Sequence, residues 1–175
     1  MRRLILLRHA KSDWPVGIVD PERPLASRGR AAAPLIGSYM AAQELVPDRV
    51  LVSPARRTRE TWELLAPALP ATATATVLSE PRLYEASVNR LLGVLREQPR
   101  EVHALMLVGH NPGLEDLADV LTDQGPAPAR ALMAEKFPTG ALAIIDLPID
   151  DWEDVAPQTG RLDRFVTPRL LMLEM

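Results

Sequence analysis

Two histidines and a set of arginines stand directly after short apolar runs. His9 follows Arg8 and the run at residues 4–7, and His110 follows Gly109 and the run at residues 104–108. A third segment, residues 53–61, places Arg56, Arg57 and Arg59 straight after the apolar residues 50–52. A neutral imidazole is a nucleophile, with its second nitrogen fixed by a hydrogen-bond acceptor. Guanidinium groups present paired donors to phosphoryl oxygens. Phosphoryl transfer needs positioning and stabilisation of charge on the non-bridging oxygens more than it needs new covalent chemistry. With no Cys in the chain and no acidic cluster of metal-ligand spacing, these residue types point to phosphoryl chemistry without a metal or other cofactor.

The elements that must position these residues follow from the pattern around them. Four apolar residues at 4–7 read as a short strand buried on both faces. Residues 49–52, 77–79, 104–108 and 140–147 read as further strands. Between them, helical spacing appears at Ala32, Leu35, Ile36, Tyr39 and Met40, with Ser27 as the expected cap of a helix to about Gln43. A second helix is opened by Ser53 as cap and Pro54 as first residue, carrying Thr58, Thr61, Trp62, Leu65 and Leu69. A third, capped by Ser87, runs to about Gln98 on Val88, Leu91, Leu92 and Leu95. A fourth follows Asn111 as cap and Pro112, burying Leu114, Leu117, Ala118 and Leu121.

Strand and helix alternate, which gives an α/β layered fold with a mainly parallel sheet. Right-handed crossovers bring several strand ends to one edge, where ligands bind in open α/β sheets. Taken alone, an Arg-His pair after a strand reads as a solvated loop. The other two strand ends change that reading. Arg56 and Arg57 sit in the first turn of a helix, where the macrodipole disfavours cations unless an anion or acid compensates. A helix N-terminus bearing arginines suits a phosphoryl group.

The remaining segments are plainer. Residues 10–26 form a long loop with three Pro, of the length that is often functional. The tract at residues 70–76 alternates Ala and Thr and reads as a linker, although its alternation also permits a strand. Residues 123–139 read as irregular with a short helix near 129–135. Residues 148–161 are acidic and turn-rich, and a solvated turn is the simplest reading. Residues 162–173 read as extended, with Pro168 marking an edge strand or a break.

The chain has 175 residues, a 47% hydrophobic content and a net charge of −3, which together suit one ordinary domain, residues 1–175, with a sizeable core. Nothing in the charge argues for a nucleic-acid surface or a membrane-binding face, and no apolar run approaches the ~20 residues of a membrane span. The expected location is cytoplasmic. The oligomeric state is not legible.

At this point the motifs converge. The R-H-A-K-S of residues 8–12, the S-P-x-x-R-x-x-x-T of residues 53–61 and the V-G-H-N-P-G of residues 108–113 resemble the histidine phosphatase superfamily. The short chain, with its R-P-L and L-Y-x-A-S segments, looks like the SixA-type phosphohistidine phosphatases. The resemblance implies a three-layer α/β/α fold with a mixed, mainly parallel sheet, as in phosphoglycerate mutase. It implies that His9 is the nucleophile, carried through a phosphohistidine, and that Arg8, Arg57 and a protonated His110 bind the phosphoryl oxygens. Arg56, Arg59 and His103 are then surface residues. Arg23, Lys11 and Ser12 are open, Arg23 being the one that could reach the phosphate.

The proton donor departs from the acid phosphatases and mutases of the superfamily, which use a carboxylate on the leaving oxygen. The candidates here are Glu85 and Glu80, and for Glu85 the other reading is a first-turn acid that suits the helix dipole. A labile phosphoramidate needs less acid help than an alkoxide ester. Few residues separate the third and fourth strands, leaving little material for a lid. Both features favour a phosphohistidine-bearing protein as substrate over a small phosphorylated metabolite. A phosphomonoesterase and a non-catalytic phosphoryl-binding module are the alternatives.

Overall fold

In a computed structural model of the chain, residues 1–70 and 75–174 are described. Four strands lie parallel and side by side. They are β1 (Arg2–Arg8), β2 (Arg49–Val52), β3 (Thr76–Ser79) and β4 (Ala104–Gly109), in the order β3-β2-β4-β1. The sheet continues past β1 into β6 (Leu142–Leu147), β7 (Gly160–Val166) and the three-residue β5 (Thr122–Gln124), seven strands in all. β6 is antiparallel to β1, and β7 to β6. The sheet is therefore mixed.

Alternation along the central strands separates two cores. Leu4, Leu6, Leu105 and Leu107 face one side, with α3 (Val88–Arg96), α4 (Gly113–Leu121) and α5 (Ala127–Glu135). Ile5, Leu7, Met106 and Val108 face the other, with α1 (Ser27–Ala42), α2 (Arg56–Leu65) and α6 (Pro168–Leu173). Leu4 to Leu7 have no exposed surface, as expected for a strand covered on both faces. The result is a three-layer α/β/α arrangement around a mixed, mainly parallel sheet.

Several local expectations change. Ser27 is the first residue of α1 rather than its cap; Ala26 holds the cap position, because its N–H bonds Lys11 O and sets the extended entry one residue earlier. α2 starts at Arg56, after Ala55 rather than Ser53, and ends at Leu65, so Leu69 lies beyond it. Ser87 does cap α3, accepting the Arg90 N–H. Pro168 opens α6 instead of continuing an extended segment, with Thr167 as a side-chain cap. The irregular stretch at 123–139 contains α5 over Ala127–Glu135, longer than expected. Residues 71–74 of the Ala-Thr tract lie outside the described residues, and the strand after it forms over Thr76–Ser79.

The acidic stretch is no simple solvated turn. Trp152 within it is fully buried, and its indole N–H donates to Val102 O at 2.7 Å. The Arg96 guanidinium on α3 donates to Val155 O at 3.0 Å, tying the same segment down. No helix among the described residues is long and apolar enough to cross a membrane.

Candidate active site

Parallel register sets three strand ends beside one another. Arg8 pairs with Gly109, and Val52 with Val108. The His9 N–H then donates to Gly109 O at 3.1 Å, and the Ser53 N–H to Val108 O at 3.0 Å. Residues 8–9, 53 and 109–110 thus emerge together at the carboxyl edge. Gly140 secures this edge from the antiparallel side, its N–H meeting both Arg8 O and His9 O. Its φ of +75° and the Pro168 ring 2.6 Å from where a Cβ would stand leave room only for glycine.

His9 is buried and tightly framed. Its Nδ1 lies 2.8 Å from Ala10 O. The Ala10 N–H donates to Thr61 Oγ1 on α2, and that hydroxyl donates to Arg57 O. A carbonyl only accepts, so the neutral ring keeps its proton on Nδ1 and its lone pair on Nε2. Burial holds the imidazole down to about 3, against the opposing bond to Ala10 and helped by His110, Arg57 and Arg8. His9 is therefore neutral at ordinary pH.

His110 lies beside it, the ring centroids 5.4 Å apart. Its Nε2 is 2.7 Å from Ser53 Oγ. Burial, with Arg57, brings this imidazole down to about 4. The second imidazole, expected to be protonated, is thus neutral, because burial and the nearby Arg57 and Arg8 disfavour its cation.

Arg8 donates through Nη1 to Phe137 O at 3.1 Å. Arg57 is buried and donates through Nη1 to Asp20 O at 2.8 Å and through Nη2 to Asp20 Oδ2 at 3.1 Å. Arg8 Nε and Arg57 Nε are buried donors, and His110 Nδ1 a buried ring nitrogen, with no partner among the described residues. Buried polar groups are normally paired. Two unpartnered guanidinium donors near a neutral imidazole suit the oxygens of a phosphoryl group.

A cavity of about 270 Å³ opens here, lined by Asp20, Arg57, Tyr84, Glu85, His110 and Asn111 among others. Arg8 and His9 are not part of its lining. A larger groove of about 510 Å³ lies between α4 and α5, but Glu115, Asp116 and Asp119 line it and would repel an anion.

The other candidates separate clearly. Arg56 is exposed and faces Glu60 at 3.6 Å, and Arg59 is exposed with its Nε on Pro54 O. Arg23 is not part of the cavity lining but binds Asp20, which is: it donates to Asp20 Oδ1, Ser12 Oγ and Asp13 O, and its guanidinium lies 4.4 Å from the Trp14 ring centroid. Glu80 is held by Arg82 and lies outside the cavity lining. Glu85 lines the cavity with an exposed carboxylate and a backbone φ of +53°. Asn111 is not the cap of α4; Pro112 holds that place, and the Asn111 amide donates to Phe137 O, the carbonyl that also receives Arg8. His103 is exposed, its Nδ1 3.1 Å from Arg2 Nη1.

Sequence reasoning missed Asp20 and Tyr84. Asp20 bridges Arg57 and Arg23, and the Tyr84 hydroxyl donates to its Oδ2. The signal available was the demand for an acid to compensate the first-turn arginines of α2, which Asp20 meets from 37 residues away.

The fold and site together define a phosphoryl-handling α/β enzyme, and comparison with known proteins gives its class. Residues 4–133 match the model of the histidine phosphatase superfamily, branch 1. The chain belongs to the histidine phosphatase superfamily and is a phosphatase of that class. An uncharacterized protein of Mycobacterium tuberculosis is 35% identical over 165 residues, 93% of this chain and 100% of that one. A structure assigned as the phosphohistidine phosphatase SixA of Agrobacterium tumefaciens is 31% identical, covers 95% of this chain and 99% of its own, and superposes with a TM-score of 0.78. The protein histidine phosphatase SixA complexed with tungstate is 25% identical, covers 97% and 99%, and has a TM-score of 0.75.

Proposed function

We propose that the protein removes the phosphoryl group from phosphohistidine in other proteins, with residues 1–175 acting as one domain. The observation that carries the reading is the state of His9: neutral, tied through Nδ1 to Ala10 O, with Nε2 left as a nucleophile near the unpartnered Nε of Arg8 and of Arg57. In the first step the His9 Nε2–P bond forms and the P–N bond of the substrate breaks. The electron pair goes to the departing ring nitrogen, and the substrate imidazole leaves neutral, either through the proton already on its other nitrogen or by taking one from solvent water. In the second step water attacks the phosphorus of phospho-His9, the P–Nε2 bond breaks, and the water proton passes to solvent. Arg8, Arg57 and His110 hold the phosphoryl oxygens throughout, and their fixed charges and dipoles stabilise the transition state without reorganisation.

Two features support a protein-borne phosphohistidine. The connection from Ser79 to Ala104 is spent on a short turn and on α3, whose apolar face is in the core, so it builds no lid. Asp20, in the cavity lining, is ionised and has no proton to give a leaving oxygen: bonds from Tyr84, Arg23 and Arg57 outweigh burial and bring its carboxyl down to about 2. The tungstate, a phosphate-like oxyanion, bound by a SixA relative agrees with an oxyanion site here.

Glu85 favours a second reading, a phosphomonoesterase for small metabolites, because its side chain lines the cavity, and an alkoxide leaving group needs an acid there. Turnover of a phosphohistidine peptide and of an aryl phosphate, before and after Glu85→Gln, separates the two. Phosphohistidine turnover that survives Glu85→Gln and disappears with His9→Ala is expected. Turnover of the aryl phosphate alone, collapsing in Glu85→Gln, would overturn the preferred substrate.

A further inference from the structure

Ser53 is fully buried at the end of β2, and the reaction above makes no use of it. It reads from the sequence as a helix cap, yet the cap position of α2 is Ala55. Its hydroxyl lies 2.7 Å from His110 Nε2 instead. Two arrangements are chemically open at that distance: Ser53 donates to a bare Nε2, or Nε2–H donates to Ser53.

The surroundings decide between them. The Ala55 N–H reaches Ser53 Oγ at 3.4 Å, so the oxygen already serves as an acceptor. Among the described residues the hydroxyl has no acceptor except His110 Nε2. If Nε2 carried the proton, a buried hydroxyl would be left without an acceptor among the described residues. With Ser53 donating, the hydroxyl is satisfied and the single proton of the neutral ring sits on Nδ1. Nδ1 is the ring nitrogen with no protein partner.

His9 carries its proton on Nδ1 as well, but is tied at that nitrogen by Ala10 O. The two rings are thus the same tautomer held at different nitrogens. His9 offers a lone pair, and His110, 5.4 Å away, offers an N–H. The geometry points to Ser53 as the positioning residue that creates this difference: its hydroxyl, by donating to His110 Nε2, keeps the His110 proton on Nδ1 and makes His110 a neutral donor to a phosphoryl oxygen. The role rests on the proposed reaction. The assignment of the proton does not.

Nitrogen-15 NMR of the full chain at pH 7 reads the tautomer directly. The expected spectrum has a protonated, pyrrole-type Nδ1 and a bare, pyridine-type Nε2 for His110. Ser53→Ala should shift His110, and not His9, toward the Nε2–H form and lower kcat by about 10- to 100-fold, less than the loss of a whole oxyanion donor. KM should change little, and Ser53→Thr, which keeps the hydroxyl, should restore both signals. A bare Nδ1 on His110 in the wild type overturns the inference, and so does a Ser53→Ala variant with unchanged tautomer and kcat. Should Ser53→Ala fail to fold, the wild-type spectrum alone decides. A wild type that turns over neither phosphohistidine nor aryl phosphate overturns the reaction, while the spectrum still decides the Ser53 assignment.

Discussion

Asp20 grips Arg57 twice, through its backbone carbonyl at 2.8 Å and its carboxylate at 3.1 Å. Both terminal nitrogens of Arg57 are thereby engaged, and Nε alone is left without a partner. A carboxylate at this place competes with any anion for the same guanidinium. Asp20→Asn should tighten the competitive binding of inorganic phosphate by about fivefold, the equivalent of roughly 1 kcal/mol for a partly exposed pair. Isothermal titration or inhibition kinetics would show it. Binding that is unchanged or weaker would mean that Asp20 matters by orienting Arg57 and not by occupying it.

The two site histidines make stability depend on pH in a definite direction. Their imidazoles stay neutral in the folded chain down to about 3 for His9 and about 4 for His110, while an unfolded histidine takes a proton near its ordinary 6.5. Between these values the unfolded state binds more protons, so stability rises with pH. Full stability from this source is present above the unfolded value and is lost as pH falls through about 6.5 toward 4. Thermal melts between pH 7.5 and 4.5 should show a falling Tm, and a His9→Gln, His110→Gln double variant should have a flatter slope. Parallel slopes would refute the shifts.

Arg56 and Arg57 are neighbours with opposite surroundings. Arg57 is buried at the cavity, and Arg56 is exposed with its Nε 3.6 Å from Glu60. Arg57→Ala should lower kcat/KM by about 100-fold or more, the scale of a lost oxyanion donor. Arg57→Lys should rescue only part of this, since a point charge does not replace the guanidinium fork. Arg56→Ala should stay within about threefold of wild type, as an exposed pair contributes little. Equal losses from the two alanine variants would contradict the geometry.

Glu85 holds a φ of +53°, which disfavours any residue with a Cβ. Glu85→Gly should raise stability by about 0.5–1 kcal/mol in denaturant unfolding, because glycine accepts that conformation. If phosphohistidine turnover stays unchanged in the more stable variant, Glu85 is not the proton donor for this substrate.

Much of the site is legible without coordinates because its parts are attached to strands. Leu4–Leu7, Arg49–Val52 and Ala104–Gly109 are apolar runs that must be buried, and parallel pairing carries their polar ends to one edge. Arg8, His9, Ser53, Arg57, Gly109 and His110 are therefore placed by local pattern plus one topological rule. The preference for Arg57 over Arg56 is a helix register, four residues from Ser53, and the burial of Arg57 agrees with it.

What only the tertiary structure decided lies in segments with no period to read. Asp20 comes to Arg57 from a short turn inside a long loop, and Trp152 enters the core from an acidic stretch. Ser53 and Asn111 carry cap chemistry in the sequence, but buried partners reached them first: His110 across 57 positions for Ser53, and Phe137 across 26 for Asn111. A side chain with one hydroxyl or one amide serves the partner that burial brings to it, and burial depends on the whole sheet. The sequence by itself determined that Arg8, His9, Arg57 and His110 come to one edge of the sheet. The packed chain decided which nitrogen of each histidine is tied to a neighbour, Nδ1 of His9 to Ala10 and Nε2 of His110 to Ser53.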